Sequence, residues 1–228
     1  MLKPKRKKMR KEIKQDPLLE TVYKGQQLFE ENSKFIMRVG GGLIAIIVIV
    51  LMIRGSRATA AIQADKILAS AISHYSAGNS TAAVEDLDHL IDDYGSTQFG
   101  ETALFYLAQV QFSAGNSDEA KMHAETYLSK GKSFSHRAGS HLILAELFVR
   151  GGDYGSAADH YLGAAELAYT PVTDQRNRLS AVHCFIQIGE YEIAENLLDE
   201  LEENGEDIDP LGSDFKRMRG RLLTLSQK

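Results

Sequence analysis

The chain is 228 residues long, 43% apolar, carries a net charge of −5 and contains one cysteine. That length holds one domain, or one with an appendage, and the apolar share allows a sizeable core. A lone cysteine excludes an internal disulfide and any cysteine-based zinc cluster, and Cys184 reads as a small apolar filler on a helix.

The charge is spread unevenly. Residues 1–38 hold eleven Lys/Arg and five Asp/Glu, whereas residues 39–228 hold fifteen and twenty-six. A basic tail, assigned to residues 1–34, therefore precedes an acidic body. The tail suits orientation of the chain at a membrane. It also suits anionic lipid, at roughly 1 kcal/mol per charge near the surface, or ribosomal RNA through its phosphates. No aromatic residue interleaves with the first fourteen residues' eight positive charges, so specific nucleic-acid reading is not expected.

Val39 to Ile53 form a run of fifteen residues without a polar side chain, bounded by Arg38 and Arg54. A surface helix is apolar along one stripe, and this one is apolar all round. Adding Phe35, Ile36 and Met37 gives nineteen residues, 35–53, or about 28 Å at the helical rise. That nearly matches a ~30 Å hydrocarbon core, with Arg38 and Arg54 snorkelling to the headgroups. Residues 35–53 are thus read as a transmembrane helix. A cleaved signal is one alternative, since Ala58-Thr59-Ala60 has the small-x-small form of a cleavage site, and a buried soluble helix is another. The 38 residues ahead of the run, and Arg54 and Arg57 before the supposed cut, favour the anchor. The charge bias of the flanks puts the N-terminus in the cytoplasm and residues 54–228 beyond the membrane. In a bacterium that is a single-pass inner-membrane protein with a periplasmic body.

The acidic body repeats itself. "AGNSTAAVEDL", "AGNSDEAKMHA", "GGDYGSAADHY" and "IGEYEIAENLL" carry Gly78, Gly115, Gly152 and Gly189 at a constant interval of 37 residues. Five positions after each glycine stand Ala83, Ala120, Ala157 and Ala194, and seven before stand Ala71, Ala108, Ala145 and Val182. Matched columns at a fixed period signal a repeat architecture. Apolar-periodic runs flank each glycine, so every unit predicts a helical hairpin, with the glycine ending the first helix in a left-handed conformation. Small alanines let the two helices approach closely. The expected fold is all-α: a transmembrane helix, then residues 54–228 as four hairpins of period 37, closed by a solvated capping helix over Phe215–Gln227.

These units resemble the tetratricopeptide repeat, most closely in the third, through Leu144, Ala145, Phe148, Gly152, Tyr154, Ala157, Tyr161 and Ala164. Against that family's period of ~34, a period of 37 predicts connections about three residues longer. The stack predicts a concave face lined by each unit's first helix, where extended partners lie. Helical spacing turns Phe105, Gln109 and Phe112 inward, then Leu142, Glu146 and Val149, then Arg176, Leu179 and His183. Such a surface suits a weakly held, varied peptide; the alternative is that half of these residues pack against the next unit.

Seven histidines raise a metal hypothesis, but no two stand at the i, i+4 spacing that a helical metal pair requires. They are read as surface or groove residues. His183 and Cys184 are adjacent and diverge by about 100° on a helix, so they form no catalytic dyad. No catalytic residue, metal site or cofactor is expected.

A basic tail, one span and a tetratricopeptide-like body together resemble the YfgM-like family, ancillary subunits of the SecYEG translocon. That resemblance implies a protein-binding scaffold that contacts the translocon channel and hands exported chains to chaperones. An anchored scaffold for envelope assembly, in cell division or the outer-membrane machinery, is the alternative. An enzyme, or a regulatory partner of one, is the third class.

Overall fold

The computed structural model describes residues 17–95, 97–204 and 212–225, and every regular element among them is a helix. In chain order these are α1 (Pro17–Ser76), α2 (Ser80–Tyr94), α3 (Gln98–Ala114), α4 (Ser117–Lys130), α5 (Phe134–Gly151), α6 (Tyr154–Glu166), α7 (Pro171–Ile188), α8 (Tyr191–Asn204) and α9 (Gly212–Leu225). The chain divides into two units, Met1–Thr59 and Ala60–Lys228. The first part of the basic tail, residues 1–16, lies outside the described residues.

In the first unit no described side chain between Val39 and Ile53 is buried. Met52 is 70% exposed and even the least exposed large apolar residue of that run, Val50, is 46%. By length and composition this part of α1 is apolar enough to cross a membrane.

The second unit is a stack of antiparallel hairpins. Gly78, Gly115, Gly152 and Gly189 adopt φ of 79°, 84°, 78° and 82°, and no other described residue has positive φ. Each glycine follows the last turn of its helix in the left-handed region, where a Cβ is strained. The same two bonds close each end: Gly152 N–H donates to Val149 C=O (3.1 Å) and Asp153 N–H to Phe148 C=O (2.9 Å). The next helix starts at once, with the Asp153 carboxylate accepting from Ser156 N–H (3.1 Å) and the Asn79 side chain from Ala82 N–H (3.2 Å). These bonds satisfy backbone donors that a helix start leaves open.

The alanine columns sit at the helix crossings. Ala83, Ala120, Ala157, Ala194, Ala108, Ala145 and Val182 are all 0% exposed, and Ala71 is 1%. Around them the core forms three successive clusters. One joins the end of α1 to α2 and α3 through Leu68, Leu87 and Leu107; the next joins α3, α4 and α5 through Ala108, Ala124 and Leu144. The last and largest runs from α5 to α9 and contains Cys184, 1% exposed. Each hairpin packs on its neighbours, as in a quasi-one-dimensional stack.

Two expectations need correction. The connections between hairpins are short, residues 131–133 and 167–170, so the 37-residue period is not reached by longer loops. The helices themselves are long: α5 and α7 have eighteen residues each. The C-terminal helix is also not solvated all round. It begins at Gly212, Leu222 is 3% exposed, and Phe215, Met218 and Leu225 pack on the last cluster. Gln227, its expected last residue, lies outside the described residues.

Candidate partner-binding site

The nine residues expected on the concave face do not share one surface. Phe105, on α3, is half-buried and stacks on His136 of α5, with ring centroids 4.6 Å apart and planes at 15°. A Cβ on Gly139 would sit 2.6 Å from the Phe105 ring, so α5 carries glycine where that ring approaches. Phe112, one helical face along, is half-buried with the Arg150 guanidinium 4.2 Å over its ring. Gln109 lies half-buried between them. The aromatics of the second unit are thus occupied by the third.

Leu142 is half-buried against the last core cluster. Glu146 is exposed and accepts a hydrogen bond from the Tyr161 hydroxyl at 2.6 Å. The remaining four residues, Val149, Arg176, Leu179 and His183, come together on one cleft of ≈ 400 Å³. Tyr161, Ser180 and Cys184 also line it, and α9 contributes Asp214, Arg217, Met218 and Arg221. Its volume lies in the range of small-ligand and side-chain pockets.

The floor of the cleft is chemically quiet. Burial, followed by the Glu146 carboxylate, pushes the Cys184 thiol up to about 11, which keeps it from acting as a thiolate nucleophile. Burial and the bond to Glu146 likewise raise the Tyr161 phenol. His183 is held below the usual imidazole value by burial and then by Arg221 and Arg217, with Arg221 Nη1 3.4 Å from its Nδ1. It is a neutral ring at neutral pH. The cleft has apolar walls and a cationic rim.

A second feature lies between α5 and α6. His141 Nδ1 and His160 Nδ1 are 3.0 Å apart, and the His160 ring stacks on Phe148 with centroids 5.4 Å apart. A Cβ on Gly163 would come within 2.7 Å of the His141 ring. These residues are 19 apart in sequence, so no local spacing announces the pair. Both rings are held below the usual value, first by burial. Among the described residues no group of three His, Cys, Asp or Glu side chains is placed to hold a metal ion.

Stacked antiparallel helix pairs, left-handed glycines at each first helix end and small residues at each crossing define a helical-repeat protein of the interaction-scaffold class. More narrowly, the chain belongs to the tetratricopeptide repeat-like domain family, whose model matches residues 26–177. The structure is similar to a tetratricopeptide repeat protein from Parabacteroides merdae ATCC 43184, with a TM-score of 0.57 and 17% identity over 72% of this chain. The chain spans 60% of that protein. A thermophilic tetratricopeptide repeat protein from Thermus thermophilus matches over 72% of this chain and all of its own length, at 15% identity and a TM-score of 0.31. No curated protein matches the sequence.

Proposed function

We propose that the protein is a membrane-anchored, non-catalytic scaffold whose repeat domain, residues 54–228, works on the periplasmic side of a bacterial inner membrane. It contacts the protein-export translocon and hands emerging chains to chaperones. The observation that carries the reading is the pairing of two surfaces in one chain. Residues 39–53 expose apolar side chains on every face, and the body folds as a tetratricopeptide-like stack. An apolar surface of that kind is stable in hydrocarbon and costly in water, at about 25 cal/mol per Å². The eight positive charges of the first fourteen residues then keep the N-terminus in the cytoplasm.

The resemblance to the YfgM-like family supports the translocon as partner, through layout and repeat type. Gentle detergent extraction, affinity capture of the full chain and mass spectrometry test it. A stoichiometric translocon channel is expected. Division or outer-membrane factors in its place would move the protein to envelope assembly.

A further inference from the structure

We infer that the cleft between α7 and α9 is the site where the scaffold holds an acidic peptide segment, one apolar side chain of which fills the floor. The inference deepens the scaffold reading and rests on it. Its ground is a local reversal of charge. Residues 39–228 carry fifteen Lys/Arg against twenty-six Asp/Glu, yet the cleft is lined by Arg176, Arg217 and Arg221 against the one lining carboxylate, Asp214, with Glu146 adjoining the floor and bound to the Tyr161 hydroxyl. Asp214 is bound to Arg217 at 2.9 Å. Arg176 and Arg221 face no carboxylate within ion-pair distance among the described residues, so two guanidinium groups remain for a partner.

The alternative use of those arginines, as solvated surface charge, does not account for what lies beneath them. Val149, Leu179 and Met218 give the cleft an apolar interior beside the cations. His183, 3.4 Å from Arg221, carries no negative charge in either protonation state and so does not compete with a partner carboxylate. A guanidinium offers a planar pair of donors that a carboxylate accepts in bidentate fashion, and a low-dielectric wall strengthens the bond. An apolar side chain between carboxylates therefore matches the cleft in both shape and sign. A basic segment is repelled by the same rim, and the acidic remainder of the body discourages acidic chains elsewhere.

The test uses the full chain in uncharged detergent micelles and a fluorescein-labelled peptide of alternating Glu and Leu. Its two controls replace every Glu with Gln, or every Leu with Ser. Anisotropy titration should show binding of the Glu/Leu peptide, weakened tenfold or more by either control and by raised salt. The Arg176→Gln, Arg221→Gln double variant changes two exposed side chains, and its circular dichroism melt checks the fold. It should lose about tenfold or more in affinity, as expected when charged hydrogen bonds are removed. Equal affinity for the Gln peptide, or an unchanged double variant, would overturn the proposal. So would a dimer, seen by light scattering, that the peptide dissociates, because a second copy would then be the occupant. If wild type binds none of the peptides yet still captures partners from membranes, the cleft assignment fails and the scaffold reading stands. If the peptide binds but no partner is captured, the reverse holds.

Discussion

The stretch Val39–Ile53 and the repeat helices use the same kinds of apolar residue to opposite ends. Along α2 or α8 they fall on one side, so Leu90 and Leu198 are 0% exposed while Asp92 and Glu195 face water. In the stretch they cover the whole circumference, and no described side chain is buried. A stripe finds its partner within the chain, in the next hairpin. A full sleeve has no such partner, and on the proposed account lipid supplies it.

The largest predicted effect breaks the sleeve. Ile47→Arg places a charge at mid-stretch, at an insertion cost of about 2.5–3.5 kcal/mol. The protein should shift from the carbonate-resistant membrane fraction to the soluble fraction or be degraded, while Lys66→Glu, outside the stretch, should not move it. Equal fractionation of the two variants would remove the difference between sleeve and stripe.

The stripe is broken by size rather than charge. Ala157→Leu, at a crossing that is 0% exposed, should overpack it and cost about 1–3 kcal/mol in chemical denaturation. Asp159→Leu, two positions on and exposed, should cost little. A smaller loss, about 1 kcal/mol, is expected for Gly115→Ala, whose φ of 84° strains any Cβ even though space around it is open. If Gly115→Ala were neutral, the recurring left-handed turn would not be what closes each first helix.

The smallest effect concerns pH. His141 and His160 bind protons more weakly in the fold than in the unfolded chain, mainly through burial. His160 and Arg137 add to the effect at His141, against Glu166, and Lys121 adds to it at His160, against Asp159 and Glu125. His123, His136 and His183 shift the same way. The unfolded chain then takes up more protons, so stability is complete above the ordinary value of 6.5 and is lost as pH falls below it. The Tm should be lower at pH 5.5 than at pH 7.5, and His160→Gln should narrow that gap. A Tm that rises on acidification would contradict the assignment.

The hairpins were legible because a left-handed turn accepts few residues and a tight crossing accepts only small ones, which wrote Gly78 through Gly189 and Ala83 through Ala194 into the chain at one period. Cys184 as core filler was legible for the same reason. The surfaces were less so. Projecting Phe105 and Phe112 inward was a local statement, whereas their burial depends on His136 and Arg150, which belong to the next unit. The cleft depends on α9, which lies outside the repeat and shares none of its columns, so Arg217, Met218 and Arg221 carried no periodic signal. Connection length misled because a period reports the sum of helix and loop, and here the helices hold the excess.

The central claim, a repeat body held beyond the membrane by a retained span, is tested most directly by protease added to spheroplasts of a bacterium expressing the full chain with an N-terminal epitope. Residues 54–228 should be digested while an epitope-bearing fragment of the tail and span stays protected and membrane-bound. A body that resists protease in intact spheroplasts but is cut in inverted vesicles, or a mature chain that begins near Ala61, would contradict it.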